Sequence, residues 1–248
     1  MSVRTTYAGR TGNNLFQYVY ARMFAEYQNL QLLTPWPHQH FIKTTPEKKG
    51  RTLTGKRNEY RDTFRRKFAW HHKAQYPGGW STFDGYWQWH KWYEGEEQRI
   101  LSYFDLPQVQ ARPDDVLCHF RLGDYFQVCG GSVIDPSWYI EILNSLGVKK
   151  FYCMTDDPYH PYFDAFEGFE MELIHQAYMK DFHDMRGFGT ILIANSSFSW
   201  WAAYLGRAQG MVKKVYSFEP WMKLPRGEKI DLAHSFTPIP GKFYEQQP

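Results

Sequence analysis

The chain has 248 residues, enough for one large domain or two small ones, and its 43% hydrophobic content supplies real cores and excludes a disordered or fibrous protein. Net charge is only +3, but Lys43 to Lys67 holds ten Lys/Arg against three acids, a local +7 that leaves the remainder at −4. That stretch suits peripheral contact with an anionic membrane or an acidic glycan, or stands as a solvated basic loop; no nucleic-acid module accompanies it, so nucleic acid is not an expected partner.

Three cysteines (Cys118, Cys129, Cys153) form no Cys-x-x-Cys pair, and Met1-Ser2-Val3-Arg4 has no signal-peptide pattern. No apolar run reaches the length of a membrane-spanning helix. The expectation is a cytoplasmic protein with reduced thiols, soluble or peripherally membrane-associated. Aromatic content is 19%, with ten Trp, which suits sugar or base stacking as well as core filling.

In chain order, Val3 to Ala8 reads as a strand, Gly9 to Asn14 as a tight loop and Leu15 to Tyr27 as a helix, with Leu15, Tyr18, Val19, Arg22 and Met23 at helical spacing. Leu30 to Leu33 is a second strand, which opens a βαβ unit. A glycine-bearing loop before a helix N-terminus is a usual seat for an anion or polar ligand. Thr34 to Gly79 is irregular and basic, with a helix-like piece at Glu59 to His72; His38, His40, His71 and His72 read as surface side chains rather than metal ligands. Phe83 to Gln88 is short and aromatic, and Trp92 to Phe104 looks helical, with Glu94, Glu96 and Glu97 in a solvated first turn.

A polar break at Pro107 to Asp115 marks the domain boundary, giving domains 1–112 and 113–248. Val116 to Phe120 is a buried strand that opens into His119-Phe120-Arg121-Leu122-Gly123-Asp124-Tyr125. Asp135-Pro136 caps a helix over Ser137 to Leu146, with Gly147 just past its end. Strands follow at Phe151 to Thr155, Glu172 to His175 and Thr190 to Ala194, with a helix over Tyr178 to Arg186. Asn195-Ser196-Ser197 caps a final helix over Phe198 to Leu205 that stops at Gly206. This alternation describes a doubly wound parallel sheet.

Three loops, at His119 and Arg121, at Asp156-Asp157 and at Asn195-Ser196-Ser197, each follow a strand and should gather on one sheet edge, where ligands bind in such folds. Arg121 either clamps a phosphate, for which its planar charged fork is well suited, or pairs with Asp124 as a structural ion pair. Ser196 and Ser197 either hold a diphosphate at the helix tip or act only as a cap. Asp156 or Asp157 suits a base edge or a ribose hydroxyl, or is a solvated turn.

Five segments resemble the α-1,2-fucosyltransferase family and, more distantly, the α-1,6- and protein O-fucosyltransferases. Gly9 to Tyr18 resembles G-x-x-G-N-Q-x-F-Q-Y, Gly85-Tyr86-Trp87-Gln88 resembles G-Y-F-Q, and His119 to Tyr125 resembles H-x-R-R-G-D-Y. Phe151 to Asp157 is similar to F-Y-x-x-S-D-D, and Asn195 to Leu205 to N-S-S-F-S-W-W-x-A-W-L. The resemblance runs in family order over most of the chain. It implies an α/β, GT-B-like fold with two Rossmann-like domains facing a cleft, the second a doubly wound parallel sheet that binds GDP-fucose, the first on the acceptor side.

The activity it implies is inverting, metal-independent transfer of L-fucose from GDP-fucose to a hydroxyl of an oligosaccharide or polysaccharide, O-2 of a galactose-type sugar, with no cofactor. Carried over, Arg121 binds the β-phosphate, His119 with Asp156 or Asp157 the guanosine, and Ser196-Ser197-Phe198 the diphosphate and fucose. Gly12 joins the donor site, Asn13 lies by the reacting fucose and acceptor hydroxyl, and Tyr86 and Gln88 fall on the acceptor side. Leu122 stands where the motif has a second arginine, and Asn14 where it has glutamine.

Arg121, Asn13 and Asp124 form the catalytic set; Asp124, His119 and Asp156/Asp157 are the candidate proton acceptors, with none singled out, and a dissociative reaction in which the leaving phosphate takes the proton while Asn13 orients the hydroxyl is the alternative. The Asp-x-Asp signature of metal-using transferases is absent from the sequence. A nucleotide-sugar or carbohydrate-binding module of the same fold with little or no turnover is the competing reading, and no paired carboxylates mark a glycoside hydrolase.

Overall fold

The structure is a computed structural model that describes residues 2–33, 57–61, 79–127, 132–223, 229–230 and 236–244. The chain divides into two compact units, Met1–Pro107 and Gln108–Pro248. The histidines at 38, 40, 71 and 72, Cys129 and most of the basic stretch from Lys43 to Lys67 lie outside the described residues.

In the first unit, β1 (Ser2–Thr5), α1 (Thr11–Tyr27) and β2 (Gln31–Leu32) form the expected βαβ start, followed by β3 (Arg57–Arg61), β4 (Trp80–Asp84) and the short helix α2 (Glu97–Leu101). The strands lie in the order β2-β1-β4-β3, and every pairing is parallel. Helix α1 is apolar almost all round and is buried from Leu15 to Met23 except at Arg22, as a helix laid on a sheet must be. An aromatic cluster locks it down: Tyr20 stacks on Trp87 at 4.4 Å and meets Phe83 edge-on at 5.5 Å.

The second unit carries β5 (Arg112–Phe120), α3 (Pro136–Ser145), β6 (Lys150–Thr155), β7 (Glu170–Leu173), α4 (Tyr178–Met185), β8 (Phe188–Ile193), α5 (Ser197–Ala208) and β9 (Lys214–Glu219). The small antiparallel pair β10 (Met222–Lys223) and β11 (Lys229–Ile230) and the last strand β12 (Thr237–Pro240) complete it. The main sheet is wholly parallel in the order β7-β6-β5-β8-β9-β12. Numbered by appearance, that is 3-2-1-4-5-6, the doubly wound order in which the winding reverses between the first and fourth strands, here β5 and β8. Cys118, Phe120, Leu122, Phe151 and Phe166 pack under α3, while Trp200 and Trp201 of α5 are fully buried.

Several elements differ from the sequence expectation, each for a physical reason. Helix α1 begins at Thr11 and takes in Gly12, Asn13 and Asn14, because Gly9, at φ +78°, makes the turn by itself. Arg57–Arg61 is a strand paired to β4, so the helix expected from Glu59 is not helical at its start. The helix expected over Trp92 to Phe104 is broken at Gly95 (φ +76°) into a 3-10 turn at His90–Trp92 and α2.

Glu96 is not solvated: it is 6% exposed and accepts hydrogen bonds from the Tyr27 hydroxyl at 2.5 Å and Arg99 Nε at 3.0 Å. Strand β5 starts at Arg112, four residues early, where its guanidinium covers the Tyr152 ring at 4.6 Å. Strand β7 lies two residues earlier than expected, at Glu170–Leu173. Helix α5 runs through Gly206 to Ala208. A Cβ at Gly206 would lie 2.4 Å from Val212 Cγ2 and 3.0 Å from the Arg186 carbonyl oxygen, so this glycine serves close packing, not termination.

Candidate functional site

Strands β6, β5 and β8 are neighbours and all run the same way, so the loops after Thr155, Phe120 and Ile193 emerge together on the C-terminal edge of the second sheet. That edge includes the switch point between β5 and β8. Arg121 leaves β5 there with its side chain only 15% exposed. Its Nη1 meets Asp156 Oδ2 at 2.7 Å and its Nη2 meets Asp124 Oδ1 at 2.5 Å.

The ion pair with Asp124 is therefore present, and Asp156 adds a second. Asp156 also accepts the Leu122 backbone N–H at 2.9 Å, and a Cβ on Gly123 would lie 2.6 Å from its Oδ2, so the loop has glycine where this carboxylate approaches. A guanidinium has five N–H donors, and these two contacts leave others for a ligand. With both carboxylates ionised the three groups sum to −1, so Arg121 alone does not make this edge electropositive.

Tyr125 ties the two sides of the switch point together. The Arg121 guanidinium carbon lies 5.3 Å from its ring centroid, and its hydroxyl donates to the Asn195 carbonyl at 3.1 Å. Beyond Asn195, Ser196 caps α5 by accepting the Phe198 N–H at 3.4 Å, and Ser197 is the first helical residue, half-buried. Arg121, Leu122 and Asn195 line one recess with Phe120, Tyr139 and Tyr162.

Two buried polar atoms on this edge have no hydrogen-bond partner among the described residues: His119 Nδ1 and Asn195 Oδ1, in side chains 7% and 1% exposed. Asn195 is held through its other atom, Nδ2, which donates to the Ser132 carbonyl at 2.8 Å. A buried orphan acceptor costs about 1–3 kcal/mol. His119 lies 6.1 Å from Phe198, ring to ring. Burial, then the nearby Arg121 charge, pushes its pKa down to about 3, so it is a neutral imidazole at ordinary pH.

Among the candidate bases, Asp124 and Asp156 are thus engaged with Arg121, and His119 holds protons poorly. Asp157, at the same strand end, is anchored through its N–H to the Thr155 hydroxyl at 3.2 Å.

The first unit presents a second constellation at the C-terminal edge of its own sheet. Asn13, in the first turn of α1, accepts from Gln88 Nε2 at 2.8 Å. Gly9 closes over it, since a Cβ there would lie 2.3 Å from Asn13 Nδ2. Gln17, buried one turn further on, joins both loops: its Oε1 accepts from the Ala8 N–H at 3.0 Å and from Asn14 Nδ2 at 3.1 Å, and its Nε2 donates to the Gly85 carbonyl at 2.9 Å. Trp87 adopts φ +56°, and the Tyr93 hydroxyl donates to its carbonyl. Tyr86 is half-buried in the same loop, and Gly12 is buried in α1.

His119, Arg121, Asp124, Asp156, Asp157, Ser196, Ser197 and Phe198 therefore fall on one sheet edge, and Gly12, Asn13, Tyr86 and Gln88 on the other unit's edge. Sequence reasoning missed two residues with structural roles at these edges. Gln17 and Tyr125 both stand inside quoted motifs, and that was their only signal, because the Gly85 and Asn195 carbonyls they bind lie 68 and 70 residues away. The two motif departures are also explained in place. Leu122 turns into the core, and Asn14 is a buried staple that donates to the Ala8 carbonyl at 3.0 Å. Among the described residues no group of three or more His, Cys, Asp or Glu side chains is placed to hold a metal, and no helix is long and apolar enough to cross a membrane.

No family model and no curated protein sequence matches the chain. Solved structures do. The chain is similar in fold to NodZ α-1,6-fucosyltransferase soaked with GDP-fucose, at 12% identity, covering 88% of this chain and 94% of that one, with a TM-score of 0.55. It is also similar to a mutant of Arabidopsis thaliana FUT1 in complex with GDP, at 9% identity, covering 87% and 69%, with a TM-score of 0.52. At these identities the likeness is one of fold: α/β and GT-B-like, with a parallel, Rossmann-type sheet in each unit.

Proposed function

We propose that this chain is a glycosyltransferase that moves L-fucose from GDP-fucose to a hydroxyl of a glycan, O-2 of a galactose-type sugar, with inversion and without a metal. The observation that carries the reading is the meeting of Arg121, two buried orphan polar atoms and the capped tip of α5 at the switch point of a doubly wound sheet. Fold likeness to two structures solved with GDP-fucose or GDP supports it.

In this reading residues 1–112 form the acceptor side and 113–248 the donor side. Breaking the sugar–phosphate bond leaves negative charge on the diphosphate, and fixed donors aimed at that charge lower the barrier. Arg121 supplies a permanent cation, and the Ser196-Ser197 tip supplies hydroxyls and the positive end of a helix dipole. His119, kept neutral, and Asp156 or Asp157 face the guanosine, while Phe198 completes the donor pocket. Asn13, held by Gln88, orients the acceptor hydroxyl beside Tyr86.

Incubation with GDP-fucose and a glycan panel, with and without EDTA, followed by linkage analysis, tests this. The expected result is GDP release, EDTA-insensitive, with a fucosylated product linked through O-2 of a galactose. No GDP release with any acceptor overturns it.

One observation favours a second reading. Arg121 is already held by two carboxylates, which suits a nucleotide-sugar or carbohydrate-binding module without turnover. Such a module binds GDP-fucose and leaves it intact.

A further inference from the structure

Three large hydrophobic side chains stand exposed among the described residues: Tyr159 at 92%, Leu173 at 44% and Tyr178 at 56%. All three lie at or just past the C-terminal ends of β6 and β7, on the sheet edge that carries Arg121 and Asp156. One exposed apolar residue is ordinary, but three gathered on a ligand edge mark a surface that meets something.

The two tyrosines are placed differently. Tyr159 precedes His160, whose ring stacks on Phe126 at 4.7 Å, against the core under α3. Tyr178 opens α4 four residues ahead of Phe182, so both lie on one face of that helix. Phe182 is fully buried and meets Phe198 edge-on at 5.2 Å, and Phe198, half-buried at the tip of α5, lies 6.1 Å from the His119 ring. An aromatic row therefore runs from the buried, neutral imidazole out to the Tyr178 phenol. Among the described residues that phenol makes no aromatic contact and no hydrogen bond.

In a doubly wound sheet of this strand order an acidic side chain at the end of the second strand takes the ribose, and here that strand is β6 with Asp156 and Asp157. With the diphosphate at the β5–β8 switch point, the base lies past the ribose, toward β7 and the helix that follows it, α4. Resting on the GDP-fucose reading of this edge, we infer that Tyr178, which stands in none of the motif segments, is the stacking platform for the purine base of the donor nucleotide. The phenol covers the flat face of the base and leaves its polar rim to other groups, so it contributes affinity, not the choice of base.

The test compares wild type with Tyr178→Ala, Tyr178→Trp and Tyr159→Ala, reading GDP affinity by titration and inorganic pyrophosphate affinity by displacement of GDP. Tyr178→Ala removes an exposed side chain and is expected to melt as wild type does. It is expected to weaken GDP binding by about 5- to 150-fold, the range for loss of one base–aromatic stack, with pyrophosphate affinity unchanged. Tyr178→Trp is expected to bind GDP as tightly as wild type or more so, and Tyr159→Ala to stay within a few-fold of it. GDP affinity within a few-fold of wild type in Tyr178→Ala overturns the inference alone. So does an equal loss for GDP and pyrophosphate, which marks a role in shaping the edge, or a larger loss in Tyr159→Ala, which puts the base away from α4. A wild-type chain that binds no GDP overturns the nucleotide reading and this inference with it.

Discussion

The two sheet edges are built alike, strand end to loop to helix tip, yet their chemistry is opposite. The second unit gathers a guanidinium, two carboxylates, an imidazole and serine hydroxyls around Arg121. The first unit relies on neutral amides, with Gln17, Asn14, Asn13 and Gln88 knitting two loops together, and Asp84 is the one carboxylate among the described residues at its strand ends. The difference teaches a division of labour. Under the proposed transferase reading, an edge that meets a charged leaving group needs fixed charges, whereas one that orients a sugar hydroxyl needs directional, uncharged donors and acceptors held rigidly.

The largest way to break that contrast is to disable the cation. Arg121→Ala is expected to lower turnover by about 10²–10³-fold, the usual loss for one charge-stabilising donor, in a protein that still melts cooperatively. Near-normal kcat in the folded variant would remove the fixed charge from the account. Arg121→Lys should fare little better, because one ammonium cannot span Asp124 and Asp156 as the planar fork does.

Next comes the amide staple. Gln17→Leu keeps the approximate volume but removes the partner of the Ala8 N–H and of the Gly85 carbonyl, both in partly buried hydrogen bonds, at a total cost of about 1–3 kcal/mol. Urea unfolding read from the aromatic signal should show that loss, and an unchanged midpoint would mean that the two loops hold themselves.

His119 sharpens the contrast through pH. Its folded pKa of about 3 lies below its ordinary 6.5, so between those values the unfolded chain binds the extra proton and the folded state loses stability as pH falls. At about 1.4 kcal/mol per pH unit, wild type should lose roughly 2 kcal/mol more than His119→Gln between pH 6.5 and 5. Parallel pH profiles for the two proteins would show that this imidazole titrates normally.

The smallest effect is expected at Gly123. Gly123→Ala would push against Asp156 Oδ2, the movable end of a side chain, so stability should hold. GDP affinity should weaken by less than about tenfold, about 1.4 kcal/mol. A larger loss of affinity would mean that Asp156 organises more of the pocket than Arg121 alone.

Much of the second unit was legible in the sequence because its signals are local. Asp135 caps α3 by accepting the Ser137 N–H at 3.0 Å, Gly147 follows its end at φ +66°, and the strand-ending motifs lie on adjacent strands. What was misread depends on distant partners. Glu96 looked solvated until Tyr27, 69 residues away, supplied its hydrogen bond. Gly206 looked like a helix stop because nothing local reveals the Arg186 backbone, whose carbonyl oxygen lies 3.0 Å from where its Cβ would be. Asn13 and Asn14 looked like loop residues because a single glycine can make a turn that six residues seemed to need.

The most direct test is an experimental structure of the chain with GDP-fucose or GDP bound. The account predicts the diphosphate at the β5–β8 switch point, with oxygens within hydrogen-bond distance of the Arg121 guanidinium and of the Ser196-Ser197 helix tip. A nucleotide bound elsewhere, or one that leaves Arg121 engaged only with Asp124 and Asp156, would contradict it.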